Sequence, residues 1–332
     1  RVLFRSKIAA IGEVTLASKG AIEEAEAAYD ALTEAQKQLV TNADVLAAAR
    51  KSYDELEAVK AVEEKIAAIG EVTLASKGVI EEAEAAYDAL TEAQKSQVGN
   101  TDVLAAARAS YNDLEAAKAV EEKIEAIGEV TLESKSAIDE ANAAWKALNR
   151  TQKKLVPNWS VLDTAKKSYR NLFNAKAVEE KIEAIGEVTL ASKSAIEEAE
   201  AAYQALTADQ KQLVTNTDVL AAARKSYNDL AAAKAVEDQI AAIGKVTLTS
   251  KSAIEAAESA YAALTAEQKL LVTNADVLAA ARKSYNDLAA AKAVEDQIAA
   301  IGKVTLTSKS AIEKAEAAYE ALTEEQKALV SK

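Results

Sequence analysis

An Ile-Gly dipeptide recurs with its glycine at Gly12, Gly70, Gly128, Gly186, Gly244 and Gly302, each 58 residues after the one before, with no insertion or deletion between copies. Self-similarity on so strict a period is the mark of an array of like units, each too short to be an ordinary autonomous domain. Catalytic sites are seldom copied six times in near-identical form, so the pattern favours length, valency or both. Unit boundaries at Ala61, Ala119, Ala177, Ala235 and Ala293 divide the 332 residues into repeats 1–60, 61–118, 119–176, 177–234, 235–292 and a partial sixth, 293–332. The first unit opens on Leu3-Phe4-Arg5-Ser6, where the others have Ala-Val-Glu-Glu or Ala-Val-Glu-Asp. With no initiator methionine, signal peptide or anchor, the stretch reads as part of something longer.

Half of the residues are apolar, yet only 4% are aromatic and one is proline, so the apolar half is mainly alanine and aliphatic residues, a helix composition. The absence of cysteine excludes disulfides and thiolate metal sites, and the absence of histidine removes the commonest metal ligand and general base. A cysteine-free chain suits exported bacterial proteins, and equally a cytosolic rod. The net charge of -13 opposes nucleic acid or anionic membrane as a partner of the chain as a whole. No apolar run is long enough to insert in a bilayer.

The second unit shows how a copy should fold. Good helix formers from Ala61 to Ile69 meet Gly70, the residue expected just past a helix end. Thr73 and Ser76 start a new helix in which Ile80, Ala83, Tyr87 and Leu90 recur at three- and four-residue spacing, predicting one buried face. Thr91-Glu92-Ala93-Gln94 has the capping-box pattern and predicts a short helix ending near Val98. Asn100-Thr101-Asp102 then caps a long helix. Its apolar positions Val103, Leu104, Ala107, Tyr111, Leu114, Ala117, Val120, Ile124 and Ile127 run across the unit boundary with no glycine or proline before Gly128. About 26 residues at 1.5 Å each give roughly 39 Å of connector helix. Because its stripe drifts around the axis, its two ends should face successive bundles. The expected fold is all-α: tandem helical-bundle repeats joined by continuous connectors into an elongated rod.

The words Ala28-Tyr29-Asp30-Ala31-Leu32-Thr33-Glu34-Ala35-Gln36-Lys37, Leu39-Val40-Thr41-Asn42 and Ile11-Gly12-Glu13-Val14-Thr15-Leu16 resemble the helical tandem repeats of Gram-positive cell-surface proteins, FIVAR-like and spectrin-like three-helix arrays. The resemblance spans nearly the whole chain. It implies an extracellular, cell-surface stalk or adhesin. The alternative expectation is a module whose repeats, or whose third repeat, bind a host protein such as an immunoglobulin or extracellular-matrix glycoprotein, or a neighbouring surface protein.

Tyr29, Tyr87, Tyr203, Tyr261 and Tyr319 share one repeat position, and Tyr53, Tyr111, Tyr169, Tyr227 and Tyr285 another. Both lie in register with the buried aliphatic face, which predicts core packing with the hydroxyl at the rim. The acidic pairs Glu23-Glu24, Glu81-Glu82 and Glu121-Glu122 point about 100° apart on a helix and lack a glycine-rich oxygen loop, so they read as solvated faces. There is no phosphate loop, nucleophile elbow or zinc signature. No catalytic, cofactor-binding or metal-binding residue is expected, and the chain reads as non-enzymatic.

The third repeat departs from the pattern. Between Ala141 and Lys176 eight cations (Lys146, Arg150, Lys153, Lys154, Lys166, Lys167, Arg170 and Lys176) face one acid, Asp163, a net of +7. The aligned stretch Ala199 to Lys234 has four of each and nets zero. Trp145 replaces the usual Tyr, Pro157-Asn158-Trp159 replaces Thr-Asn-Ala or Thr-Asn-Thr, and Phe173 is also new. Trp and Arg are enriched in binding hot spots. Trp159 stands at a helix start with no evident core to fill, whereas Trp145 reads as core. Candidate protein-binding residues are therefore Trp159, Lys153, Lys154, Arg150, Lys166, Arg170 and Phe173. A drifted older copy beside recently homogenised neighbours is the competing reading, since Ala235 to Glu255 is repeated unchanged at Ala293 to Glu313. Contact between neighbouring rods is a third.

Overall fold

A computed structural model describes residues 2–331, with side chains from Arg5 onward. Arg1, Lys332 and the side chains of Val2, Leu3 and Phe4 lie outside the described residues. Among the described residues every regular element is helical, as the composition predicts. The chain forms two compact units, Arg1–Tyr169 and Arg170–Lys332.

The first unit holds α1 (Val2–Ile11), α2 (Lys19–Asp30), α3 (Glu34–Lys37), α4 (Ala43–Ala67), α5 (Lys77–Asp88), α6 (Glu92–Lys95), α7 (Thr101–Glu125), α8 (Lys135–Ala147), α9 (Arg150–Leu155) and the start of α10 (Trp159–Glu183). The second holds the rest of α10, then α11 (Lys193–Ala205), α12 (Ala208–Lys211), α13 (Thr217–Ile243), α14 (Lys251–Ala263), α15 (Ala266–Leu271), α16 (Ala275–Ile301), α17 (Lys309–Glu320) and α18 (Glu324–Lys327). Ala61, Ala119, Ala177, Ala235 and Ala293 all fall inside long helices, as the unbroken apolar stripe requires.

Each Ile-Gly ends a long helix. The six glycines have φ between 57° and 62°, a left-handed conformation that L side chains rarely adopt, and no other described residue has positive φ. A short 3₁₀ turn follows rather than the immediate α-helix that Thr73 suggests. In the second copy this turn is Leu74–Ser76, capped reciprocally by Thr73 and Ser76, with the Thr73 amide donating to Ser76 Oγ at 2.9 Å. The second capping box forms as its residues predict: the Thr91 amide donates to Gln94 Oε1 at 2.9 Å, and the Gln94 amide returns to Thr91 Oγ1.

In the first unit the buried side chains fall into three separate cores. The first joins Ile8, Ile11, Ile22, Ala25, Leu46, Ala49 and Tyr53. The second runs from Val59 through Ile66, Ile80, Ala83 and Leu104 to Tyr111, and the third from Ala117 through Ile124, Ile138 and Ala141 to Ala165. The second unit has two of the same kind, Ala175 to Ala223 and Ala233 to Ala281. Helix α7 shows how one element serves two cores. Its Leu104, Ala107 and Tyr111 belong to the second core, while Ala117, Val120 and Ile124 belong to the third. At 100° per residue these triplets centre roughly 140° apart around the axis, so the drift in the sequence stripe becomes a change of partner. Leu114, between them, is half-buried. Val103 departs from the predicted stripe: it points outward, 48% exposed, because Leu104 takes the inward direction at that end.

Candidate protein-binding surface of the third repeat

Most copies share a framework of side-chain contacts across helices. In copies one, two, four and five a glutamate on the second helix grips an arginine on the following long helix: Glu26 with Arg50, Glu84 with Arg108, Glu200 with Arg224 and Glu258 with Arg282. Each pair is bidentate, Nε to Oε1 at 2.6–2.7 Å and Nη2 to Oε2. The arginine also lies 5.7–5.9 Å from the centroid of the tyrosine three residues on, as Arg108 does at Tyr111. A lysine of the short helix stands over the other tyrosine, Lys95 over Tyr87 at 5.7 Å, with the same contact at Lys37, Lys211, Lys269 and Lys327. Both tyrosine sets pack on the cores as their register predicts, except Tyr319, which is exposed, and Tyr53 and Tyr111 send their hydroxyls to Glu57 and Glu115 at 3.3 Å.

Two side-chain amides tie copies three, four and five back to the preceding connector. The asparagine opening the long helix does not cap it with its side chain, as Asn100 was expected to do. Its Nδ2 instead donates to a backbone carbonyl of the previous long helix: Asn100 to Glu63, Asn158 to Glu121, Asn216 to Glu179 and Asn274 to Glu237, at 3.0–3.1 Å. The capping-box glutamine likewise reaches back, Gln152 to Asp113 and Gln268 to Asp229 at 2.8 Å. The acidic residue at the tether has its own task, because Glu63 Oε1 accepts the Gly99 amide, and Glu179 and Glu237 accept from Thr215 and Thr273. In the third repeat Pro157 stands where those donors stand and has no N–H to give. Glu121 instead pairs with Lys118 at 3.2 Å, so one carboxylate of a predicted solvated pair is partly buried and engaged.

The departures of the third repeat fall on this framework. The Glu–Arg bridge is replaced at both ends, by Asn142 and Lys166, which cannot form it because Asn142 is uncharged. In the second repeat that bridge lines an open groove of about 710 Å³ with Tyr87, Thr101, Asp102 and Leu104. The counterparts of Tyr87 and Thr101 are Trp145 and Trp159, and the structure stacks them, centroids 6.4 Å apart and planes inclined by 20°. Trp159 therefore has a partner that its sequence position did not reveal, while 53% of its surface stays exposed. Trp145 packs against the third core.

The other candidates separate. Lys153 lies 5.9 Å from the Trp145 ring and donates to the Lys146 carbonyl at 3.3 Å, so it makes the lysine-aromatic contact found throughout the array. Lys166 is half-buried at the bridge arginine's place, and Arg150 and Lys154 are exposed on α9. Arg170 and Phe173 belong to the second unit, where both are exposed, Phe173 to 56%. What the structure brings together is Trp145, Trp159 and Lys153. Comparison of copies could have found the bridge, since Glu and Arg are lost together in the third repeat and kept together in the four other complete ones.

Each bridge glutamate is held below the usual carboxylate value, first by the arginine hydrogen bond and then by the arginine charge, with burial opposing. A carboxyl with a depressed folded-state pKa stabilises the fold above the ordinary carboxylate range, and that contribution is lost as pH falls through the folded value. The second repeat has such a pair, worth on the order of 1 kcal/mol at this exposure, and the third does not. On acidification from about pH 6 to about pH 3, the protection of the Ile80 and Ala83 amides, measured relative to their intrinsic exchange rates at each pH, should fall more than that of Ile138 and Ala141. An equal fall in protection would show that the bridge does not stabilise the second core.

Comparison with protein-family models, with curated proteins and with solved structures found no match to this chain. Among the described residues no helix is long and apolar enough to cross a membrane.

Proposed function

We propose that this chain is a non-enzymatic spacer, a stalk segment of a bacterial surface protein that holds another domain at a distance. The observation that carries the reading is the sharing of long helices between cores: α4 and α7 in the first unit, and α13 in the second, each contribute one end to one core and the other end to the next. A shared helix resists bending between neighbouring copies, a property a spacer needs. The resemblance of the repeat words to Gram-positive surface arrays supports placement outside the cell. Small-angle scattering should give a maximum dimension on the order of 200 Å, from six copies of up to roughly 39 Å each. A compact, near-spherical particle would end this reading.

A second reading is favoured by the Trp145–Trp159 stack, in which the third repeat binds an acidic host protein. A half-exposed indole held by a second indole in a basic stretch offers a large, preorganised contact surface. Pull-down from serum or matrix extract with the intact chain and with Trp159→Ala separates the readings. Loss of a captured protein with the substitution supports binding, with at least about a tenfold fall in affinity for a hot-spot residue. Capture that survives it removes Trp159 from the interface.

A further inference from the structure

The second repeat has an open groove between α5 and α7, and the third repeat shows what fits there. The groove, of about 710 Å³, is bounded by Glu84 and Tyr87 on α5 and by Thr101, Asp102, Ala105 and Arg108 on α7. Tyr87 and Thr101 are half-buried, while Asp102 and Ala105 are exposed. In the third repeat the place of Thr101 is taken by Trp159, whose ring stacks on Trp145, the counterpart of Tyr87, with centroids 6.4 Å apart. That separation lies within the range of favourable aromatic pairs. The conserved lysine contact does not compete with the stack, because Lys153 lies 5.9 Å from the Trp145 centroid while Trp159 is in place. Lys95 holds the matching position over Tyr87 at 5.7 Å. Tyr87 therefore has the lysine but not the second ring, which threonine is too small to supply.

Charge narrows the occupant further. Two acids, Glu84 and Asp102, and one cation, Arg108, line the groove, a net of -1. Arg108 neutralises Glu84 through the bidentate bridge, and Lys95 is engaged by Glu92 at 3.2 Å. Asp102 has no cation paired with it among the described residues, so it is the charge left for a ligand. In the third repeat both acids are absent, replaced by Asn142 and Ser160. The repeat that carries its own second ring is thus also the one that lacks the acidic rim.

We propose that the groove of the second repeat is a socket for an aromatic side chain of a partner protein, one flanked by Lys or Arg. The ring stacks on Tyr87 as Trp159 stacks on Trp145, and the neighbouring cation sits against Asp102. The fourth repeat carries the same set in Glu200, Tyr203, Thr217, Asp218 and Arg224. Such a socket is independent of a spacer role and of any partner of the third repeat.

The test titrates the intact chain, with labelled leucine methyls, with the tripeptide Lys-Trp-Lys capped at both ends. A saturable shift is expected at Leu104, which lines the groove, with its third-repeat counterpart Leu162 unmoved. For so small a ligand the dissociation constant should be on the order of millimolar. The capped peptide Lys-Ala-Lys should give no saturable shift, and Glu-Trp-Glu should bind about threefold to tenfold more weakly than Lys-Trp-Lys. Thr101→Trp should fill the socket from within and remove the shift at Leu104. The reverse change, Trp159→Thr, installs the residue that the second and fourth repeats already have, and free indole should then shift Leu162 although it does not do so in the parent chain. No saturable shift at Leu104, a shift that survives Thr101→Trp, or equal shifts at Leu104 and Leu162 of the parent chain would each overturn the proposal. So would Lys-Ala-Lys binding as tightly as Lys-Trp-Lys, or a Leu162 that indole leaves unmoved after Trp159→Thr.

Discussion

Ile124→Ala should loosen the third core and spare the second, and Leu104→Ala should do the reverse, although both residues lie on α7. Ile124 is 1% exposed and packs with Ile138 and Ala141, while Leu104 is 7% exposed and packs with Ile80 and Ala83. Deleting the larger part of a buried aliphatic side chain removes its transfer free energy and leaves a cavity, a combined cost of about 2–5 kcal/mol. Neither core shares a buried residue with the other, so each cavity should be felt on its own side. Native-state hydrogen exchange reads the difference directly. Ile124→Ala should raise exchange in α8 by about thirtyfold or more while α5 changes far less, and the pattern should invert for Leu104→Ala. A loss shared equally by α5 and α8 would mean that the two cores unfold as one cooperative block. Val103→Ala, at an exposed position of the same turn, should change little.

Gly128→Val and Gly78→Ala should move stability in opposite directions. A Cβ built at either position meets no atom within 4 Å, so neighbouring side chains do not decide the outcome and the backbone does. Gly128 sits at φ 58°, where a side chain crowds its own carbonyl and a β-branched one is worst, a cost of about 1–2 kcal/mol. Gly78 lies in α5 with no positive φ, where alanine restricts the unfolded chain and suits a helix, a gain of up to about 1 kcal/mol. Serine already occupies that place in the later copies, at Ser136, Ser194, Ser252 and Ser310. Thermal melts of the two variants beside the parent chain provide the check. A Gly128→Val protein as stable as the parent would show that the turn relaxes away from its left-handed conformation.

Much of the local structure is legible from single residues because it depends on neighbours in sequence. Gly70 stops a helix, Thr91 and Gln94 cap one another over three residues, and Ile80 with Ala83 marks an inward face by spacing alone. Asn100 shows where this reasoning fails. Its position and type both fit an N-cap, but a carbonyl of the preceding helix, 37 residues back, takes the side chain instead. The 3₁₀ turn after each glycine was missed for a related reason, since Thr73 and Ser76 can cap a tight turn as well as a full helix. Only the direction in which the chain must leave distinguishes them.

The candidate surface divides along the same line. The sequence by itself determined that the third repeat is basic and that it holds both tryptophans. Tertiary structure decided that Trp145 and Trp159 stack, that Lys153 belongs to a contact shared by the array, and that Arg170 and Phe173 fall in the other compact unit. The tryptophans are 14 residues apart and separated by a short helix and two turns, so their approach depends on how α8 and α10 are rotated toward each other. That rotation is set by packing around Ile138, Ala141 and Leu162, not by the indoles themselves. Periodicity fixes which face of each helix is apolar, and the close packing of those faces fixes which distant side chains meet.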